Sequence, residues 1–207
     1  MVTGRSPAVD GVAEELARRV LAAPATLADG RLVAVDGPAG AGKTTLAAAL
    51  RRHLRDALRP TGGRLAMIHM DNVYDGWDGL EAGMRTVDAD VVGPLLDGRP
   101  GHYRRYDWPE GRFAERHTVE PCEVLLVEGV GSAGHEGSAL ATASTLLVWV
   151  EAPDVVRLDR AIARDGEESR DPLAAWRAQE DRVLARERVR ARADVVVDGT
   201  FPQPSMP

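Results

Sequence analysis

One short segment of the chain combines residue types at a spacing that suits phosphate binding. Residues 37–44 read GPAGAGKT, with glycine at the first and sixth positions, then lysine and threonine. Glycines let the backbone wrap closely around an anion, so that successive N–H groups point at it. Lys43 adds a compact ammonium, and Thr44 offers a hydroxyl to Mg²⁺. The segment matches the pattern GxxxxGK[ST] at every fixed position, which predicts binding of a nucleoside triphosphate.

The lysine itself supports this prediction. The chain has 26 basic residues, and Lys43 is the only lysine among them. Because arginine serves for charge everywhere else, a lone lysine at the position that needs a compact ammonium argues against a chance glycine-rich turn. We expect the loop to bind ATP, with GTP as the alternative. The predicted nucleotide-binding residues are Gly37, Pro38, Ala39, Gly40, Ala41, Gly42, Lys43, Thr44 and Thr45.

The elements around this loop predict an α/β fold. A short, apolar, β-branched run at 31–36 precedes the loop, and a helical pattern at 43–58 follows it. Strands that alternate with helices form parallel sheets covered on both faces. We therefore expect a P-loop NTPase architecture of three α/β/α layers, with a central parallel sheet of about five strands. Further strands are predicted at 64–69, 123–127, 145–150 and 194–197, and further helices at 9–23, 88–96, 153–165 and 172–192.

Two acidic residues lie where predicted strands end. Asp71 follows the second strand, and Glu128 follows the third. Carboxyl ends of parallel strands face the ligand crevice, so Asp71 is placed to accept a proton from a substrate hydroxyl. Glu128 is a Walker-B-type acid, which together with Thr44 is predicted to hold Mg²⁺ directly or through water. The alternatives are a turn cap for Asp71, with Asn72, and an ordinary loop carboxylate for Glu128.

Arginines cluster in the predicted helix that begins near residue 153. Arg157, Arg160 and Arg164 are spaced to share one helix face, and Arg170 follows in a predicted loop. Such a group can clamp a phosphoryl group during its transfer. The alternative is a solvated face whose arginines pair with Asp and Glu.

Aromatic and charged residues are mixed in the less regular middle of the chain. The run at 102–108 reads HYRRYDW. Aromatic faces suit a flat ring, and Asp or Arg suit hydroxyls and carbonyls, so this run is a candidate acceptor-binding segment. The alternative is a loop anchored by aromatic side chains.

Composition narrows the class of protein. The chain has 207 residues, a formal net charge of −6 and one cysteine, which excludes an intrachain disulfide. No apolar run approaches the roughly 18 residues of a membrane helix. We therefore expect no membrane partner. A nucleic-acid binder usually carries a basic surface, so with a negative net charge we expect no nucleic-acid partner either. No secretory signal pattern begins the chain, and we expect a cytoplasmic enzyme.

The ordered set of motifs resembles the uridine kinase and phosphoribulokinase branch of P-loop kinases. The resemblance extends over residues 31–199 and rests on DGPAGAGKTT, HMDNVY, YRRYDW, EVLLVEGV, RLDRAIARD and ADVVVDG, in the family's order. It implies a single P-loop kinase domain over 1–207, with an acceptor-binding insertion at about 72–120 and a lid at about 157–172. It also implies transfer of the γ-phosphate from ATP to the hydroxyl of a small molecule.

The resemblance further implies roles for individual residues. Asp71 is then the general base and Lys43 a catalytic phosphate ligand. Arg160, Arg164 and Arg170 form the lid, and the first two of these are catalytic. Tyr106 and Asp107 touch the acceptor. The predicted substrate-binding residues are Asp71, Tyr74, Tyr103, Tyr106, Asp107 and Arg170.

The chain also departs from the family pattern. Uridine kinases usually carry a histidine shortly after the Tyr-Asp-aromatic segment, whereas residues 109–112 read PEGR. A uridine- or cytidine-like nucleoside is the first candidate acceptor, and another sugar-bearing metabolite or a small alcohol stays open. Either Asp75 or Asp78 could bind acceptor hydroxyls. A homo-oligomer is also left open.

Two other classes of function remain. A nucleoside monophosphate kinase needs arginines for a phosphate acceptor, and Arg85, Arg104 and Arg105 could serve. It would not need Asp71 as a base. The other class is a non-catalytic nucleotide-binding regulatory protein, which would bind nucleotide without turnover.

Overall fold

The computed structural model describes residues 7–201 of the chain. Its centre is a five-stranded parallel sheet with the order β2-β5-β1-β6-β7. The central strand is buried almost throughout, as expected for an apolar strand in a sheet covered on both faces. The strands are β1 (Arg31–Asp36), β2 (Leu65–His69), β5 (Val124–Glu128), β6 (Ser144–Glu151) and β7 (Val195–Asp198), with β3 and β4 in a separate hairpin.

Successive side chains of β1 belong alternately to two apolar clusters, one on each face of the sheet. Val33 and Val35 pack with α1 (Pro7–Ala22) and α2 (Lys43–Leu58) on one face. Leu32 belongs to the cluster on the other face, which includes buried residues of the helices that follow β2 and β6. Those further helices are α3 (Leu80–Thr86), α4 (Gly93–Leu96), α5 (Ala139–Thr142), α6 (Asp154–Asp165), α7 (Arg170–Arg186) and α8 (Val189–Arg192). The three-layer α/β/α prediction is confirmed.

The middle of the chain is more regular than the sequence indicated. One turn of π-helix at Val87–Val92 joins α3 to α4, so helical structure begins at Leu80 and not near residue 88. The chain then forms an antiparallel hairpin of β3 (Gly101–Asp107) and β4 (Arg112–Val119). This hairpin contains most of the predicted acceptor-binding run.

The helix predicted over 172–192 is two helices. The first, α7, ends at Arg186, and Arg188 has a φ of +48°, in the left-handed region. A non-glycine residue rarely adopts this conformation, and here it turns the chain into α8. Among residues 7–201, every helix is too short or too polar to cross a bilayer.

Candidate active site

The loop between β1 and α2 has the backbone shape that its glycines predict. Gly37 has a φ of +143° and Gly40 a φ of +77°. A Cβ at Gly37 would lie 2.0 Å from the carbonyl oxygen of Val150, and one at Gly40 would lie 2.3 Å from that of Arg157. Glycine is therefore required at both positions. Helix α2 begins at Lys43, so the positive end of its dipole faces the loop.

Lys43 lies across this loop. Its Nζ donates to the carbonyl oxygen of Pro38 at 2.9 Å, and the residue is buried. Thr45 also takes part in an interaction within the structure. The hydrogen bond to Pro38 holds the Lys43 ammonium at the predicted phosphate site, as its predicted role as a phosphate ligand requires.

Asp36 fastens the loop to the segment that follows β5. Its fully buried carboxylate accepts backbone hydrogen bonds from Gly37 at 2.7 Å, Gly131 at 3.0 Å and Ala133 at 2.8 Å. Burial raises the pKa of Asp36 to about 6, although these N–H groups and Lys43 act to lower it. Sequence reasoning did not assign Asp36 a role, although a carboxylate at the end of a buried strand was a usable signal.

Thr44 and Glu128, the two predicted magnesium ligands, lie close to each other. The Thr44 hydroxyl lies 3.3 Å from each oxygen of the Glu128 carboxylate. Glu128 is buried and is the last residue of β5. Hydroxyl and carboxylate oxygens are the donors that Mg²⁺ prefers, so this pair fits the ion chemically.

His69 is a residue of this site that sequence reasoning missed. It pairs with Glu128 in the register of β2 and β5, and its Nδ1 lies 2.6 Å from Glu128 Oε1. The hydrogen bond to Glu128 raises the pKa of the His69 imidazole against the opposing effect of burial. The signal was available, because both residues end neighbouring parallel strands.

Asp71 follows the strand that carries His69. It lies in a short 3₁₀ turn after β2 and is exposed to solvent. Desolvation and then the negative charge of Glu128 raise the pKa of Asp71. The positive charges of Arg164 and Lys43 act in the opposite direction. A carboxylate with a raised pKa, near cationic groups, is suited to accept a proton.

The predicted lid arginines are used in different ways. Arg164 is exposed, and its two hydrogen bonds to Asp165 are the main reason that its pKa is raised. The charges of Asp71 and Glu128 raise the pKa of Arg164 further. Arg160 donates to the backbone carbonyls of Gly40, Gly199 and Phe201 at 3.3, 2.9 and 3.1 Å. Its guanidinium ties α6 to the phosphate-binding loop and to the segment after β7. The catalytic role assigned to Arg160 stays a prediction.

Arg170 lies on the surface at the start of α7. It pairs with Glu167 at 2.7 Å, and its side chain is 55% exposed. The substrate-binding role assigned to Arg170 is untested, and the structure brings Arg164 rather than Arg170 towards Asp71.

A cluster of aromatic side chains contacts the backbone of Asp71. Trp108 Nε1 donates to the backbone carbonyl of Asp71 at 2.9 Å. The Trp108 ring makes edge contacts with Trp77 at 5.4 Å and with Tyr106 at 5.3 Å between centroids. We call Trp77, Tyr106 and Trp108 the aromatic corner. It places Tyr106 beside Trp108, and the contact of Tyr106 with an acceptor stays a prediction.

Tyr74 does not lie where the prediction put it. Its ring is in the core against Trp176, and its hydroxyl donates to the carbonyl of Val130 at 2.7 Å. Burial raises the pKa of the Tyr74 hydroxyl far above its usual value. Because the side chain is enclosed and its hydroxyl is bonded, the prediction that Tyr74 binds the acceptor is corrected to a packing role.

The other two hairpin residues have local partners. Tyr103 stacks on His117 with 5.2 Å between ring centroids. Asp107 pairs with Arg105 at 2.9 Å and accepts from the backbone N–H of Glu110. Their acceptor contacts stay predictions. Asp75 and Asp78 are both exposed, so the choice between them stays open.

Comparison with known proteins locates the fold. No family model matches the chain, and no curated protein matches its sequence. Among solved structures it is similar to a protein described as a "possible uridine kinase" from Bacillus stearothermophilus. The TM-score is 0.59 at 21% identity, over 90% of this chain and 97% of that one. The chain has the fold of a P-loop kinase.

A second solved structure agrees. It is described as a "putative fructose transport system kinase" from Silicibacter sp. TM1040, and the TM-score is 0.57 at 19% identity. The alignment covers 91% of this chain and 98% of that one. At these identities the similarity shows the P-loop kinase fold that the motifs predicted, and the acceptor must be argued from the site.

Proposed function

We propose that this protein is a kinase that transfers the γ-phosphate of ATP to a hydroxyl group of a small molecule. The observation that carries the proposal is the position of Asp71. Asp71 lies in the turn after β2, and the charges of Glu128, Lys43 and Arg164 are near enough to act on its pKa. A base, a phosphate ligand and a cation for the transferring group are the parts that phosphoryl transfer needs.

Each residue has a distinct part in this mechanism. Lys43 neutralises charge on the phosphates, and the N–H groups of the loop hold them. Thr44 and Glu128 would hold Mg²⁺, which supplies further neutralisation of phosphate charge when bound. Asp71 accepts the proton of the attacking hydroxyl, and Arg164 stabilises charge on the group in transfer. Catalysis in this class is mostly positioning and charge stabilisation.

The acceptor we propose first is a nucleoside of the uridine or cytidine type. The aromatic corner supports a flat ring beside Asp71. The lack of a histidine after Trp108 keeps a different sugar-bearing metabolite or a small alcohol as the alternative.

The monophosphate kinase alternative is weaker because its three arginines already have partners, Arg85 in an exposed pair with Glu81 at 3.8 Å. Arg104 donates to the backbone carbonyls of Phe113 and Ala114, and Arg105 pairs with Glu115 and Asp107. A phosphate acceptor would have to displace these partners.

We also propose that the protein acts in the cytoplasm without a nucleic-acid or membrane partner. The net charge of −6 and the single cysteine support this. The possibility of a homo-oligomer is left to measurement of the mass in solution.

The test is an ADP-release assay with Mg²⁺ and ATP against nucleosides, nucleoside monophosphates, sugars and small alcohols. Lys43→Ala is the blank, and GTP replaces ATP in a parallel series. We expect turnover on a hydroxyl acceptor that disappears in the blank. Turnover confined to monophosphates would replace the proposal by the other kinase class. Tight ATP binding by calorimetry with no turnover on any acceptor would favour the regulatory protein.

A further inference from the structure

The sheet fixes His69 against Glu128. Both are the last residues of their strands, and they are register partners in the parallel pair β2 and β5. Side chains of paired residues leave the sheet on the same face. The contact of 2.6 Å between Nδ1 and Oε1 therefore follows from strand pairing and does not depend on a loop.

The remaining contacts of Glu128 leave its orientation to His69. The Thr44 hydroxyl is 3.3 Å from both carboxylate oxygens, which is long for an O–H···O bond. An ionised carboxylate can only accept, so the short bond to His69 has Nδ1–H as its donor. Oε1 is thereby held by His69, and Oε2 makes no hydrogen bond to His69 and lies within 3.3 Å of the Thr44 hydroxyl. The nearby carboxylate of Asp71 repels Glu128 and adds a further reason to fix its position.

We propose that His69 is a positioning residue that orients Glu128 towards the magnesium ion of a bound Mg·ATP. The inference rests on the magnesium site within the proposed function, and it does not require that phosphate be transferred. Groups that hydrogen-bond a metal-ligating carboxylate fix its orientation, and their loss typically lowers metal affinity or activity about 10- to 100-fold. A purely structural hydrogen bond at the sheet edge would leave the effect of Mg²⁺ on ATP binding unchanged.

The test is calorimetric titration of ATP with and without Mg²⁺, the latter in EDTA. The ratio of the two dissociation constants gives the gain from the metal, with no acceptor present. In His69→Ala we expect this gain to fall about 10-fold or more, while ATP binding in EDTA stays at the wild-type value. In His69→Asn the amide can still donate to Glu128, and we expect part of the gain to return.

Two controls separate positioning from general damage. His117→Ala removes a histidine of similar exposure, 42% against 40%, that also contacts a glutamate, and it should keep the full gain. In a Glu128→Gln background, His69→Ala should cause no further loss. An unchanged gain in His69→Ala, or an equal loss of binding in EDTA, would overturn the inference. Absence of turnover in the ADP-release assay, with the gain intact in wild type and lost in His69→Ala, would overturn only the proposed kinase activity.

Discussion

The carboxylate of Glu180 accepts a hydrogen bond from the backbone N–H of Ala39 at 2.7 Å, so α7 is tied directly to the phosphate-binding loop. Glu180 is fully buried, and it also accepts from Trp176 Nε1 at 3.2 Å. Arg157 completes the arrangement, because its Nη1 lies 3.4 Å from Glu180 and 3.3 Å from the carbonyl of Ala39. Side chains of α6 and α7 thus bind both the backbone carbonyl and the backbone N–H of Ala39. These contacts fix the conformation of the loop before a ligand binds.

Removal of this carboxylate should destabilise the protein. Glu180→Ala leaves the N–H of Ala39 unpaired and takes one of two acidic partners from the buried Arg157. We expect a loss of at least about 2 kcal/mol in the free energy of unfolding, short of the 3–5 kcal/mol of a wholly unpaired buried charge, because Asp154 still pairs with Arg157. Urea unfolding of wild type and variant measures this loss in the free energy of unfolding. Glu15→Ala, which breaks an exposed pair with Arg18, should lose under about 1 kcal/mol, and equal losses would contradict the expectation.

Substitution of the proposed base should lower the rate without loss of nucleotide binding. In Asp71→Asn the amide cannot take a proton, so we expect kcat to fall about 10²- to 10⁴-fold. The ATP dissociation constant should change little. Steady-state kinetics and calorimetry on one preparation check both values, with Asp97→Asn as a surface control that loses only a pair with Arg99. Near-wild-type turnover in Asp71→Asn would remove the hydroxyl-acceptor mechanism.

The two arginines Arg164 and Arg170 should differ in their effect on catalysis. Arg164 acts on the charges of Asp71 and Glu128, whereas Arg170 is paired with Glu167 on the surface. We expect Arg164→Ala to lower kcat about 100-fold, in the range of other lost transition-state donors. Arg170→Ala is the matched variant and should stay within a factor of about three of wild type, by analogy with exposed ion pairs. A larger loss of kcat in Arg170→Ala than in Arg164→Ala would assign stabilisation of the transferred phosphoryl group to Arg170 of α7.

Acid should weaken the contact that holds the loop after β5. Burial raises the pKa of Glu187, but hydrogen bonds from His135, Arg186 and the N–H of Glu136 outweigh it and hold the pKa at about 2, below the usual 4.5. A lowered pKa in the folded state gives stability that is present above pH 4.5 and is lost as the pH falls towards 2.

The corresponding experiment compares wild type with Glu187→Gln by urea unfolding from pH 6 to pH 2.5. The difference in free energy of unfolding should be largest at pH 6, where linkage allows up to about 3 kcal/mol, and should shrink with acid. Glu120→Gln, at an exposed position, should follow the wild-type curve in parallel. A difference that stays constant with pH would show that the hydrogen bonds of Glu187 do not depend on its charge.

The sequence predicted most accurately those elements whose local pattern is compatible with only one type of secondary structure. The bounds of β1 and α2 are as predicted, because an apolar run, a glycine loop and a helical pattern meet there without a break. The hairpin at 101–119 was missed, since its strands are partly exposed and rich in charge. Helix α3 was missed because it has only seven residues and contains Gly83.

The candidate site shows the same limit. Asp71 and Glu128 were predictable because strand ends of a parallel sheet converge on the ligand crevice. Glu180 was not, since its partner Ala39 is 141 residues away and the contact depends on how α7 packs. Tyr74 was assigned to the acceptor from the family resemblance of the segment HMDNVY, but the direction of a side chain after a strand depends on the turn.

The single lysine makes the phosphate-binding loop chemically unique in this chain. An endoproteinase that cuts only after lysine has one target, the bond between Lys43 and Thr44 in the first turn of α2. That bond is enclosed while the loop is folded, since Lys43 is 8% exposed and hydrogen-bonded to Pro38. The rate of this one cut therefore reports how often the loop opens, and a bound nucleotide that needs the closed loop should slow the cut in proportion to its occupancy.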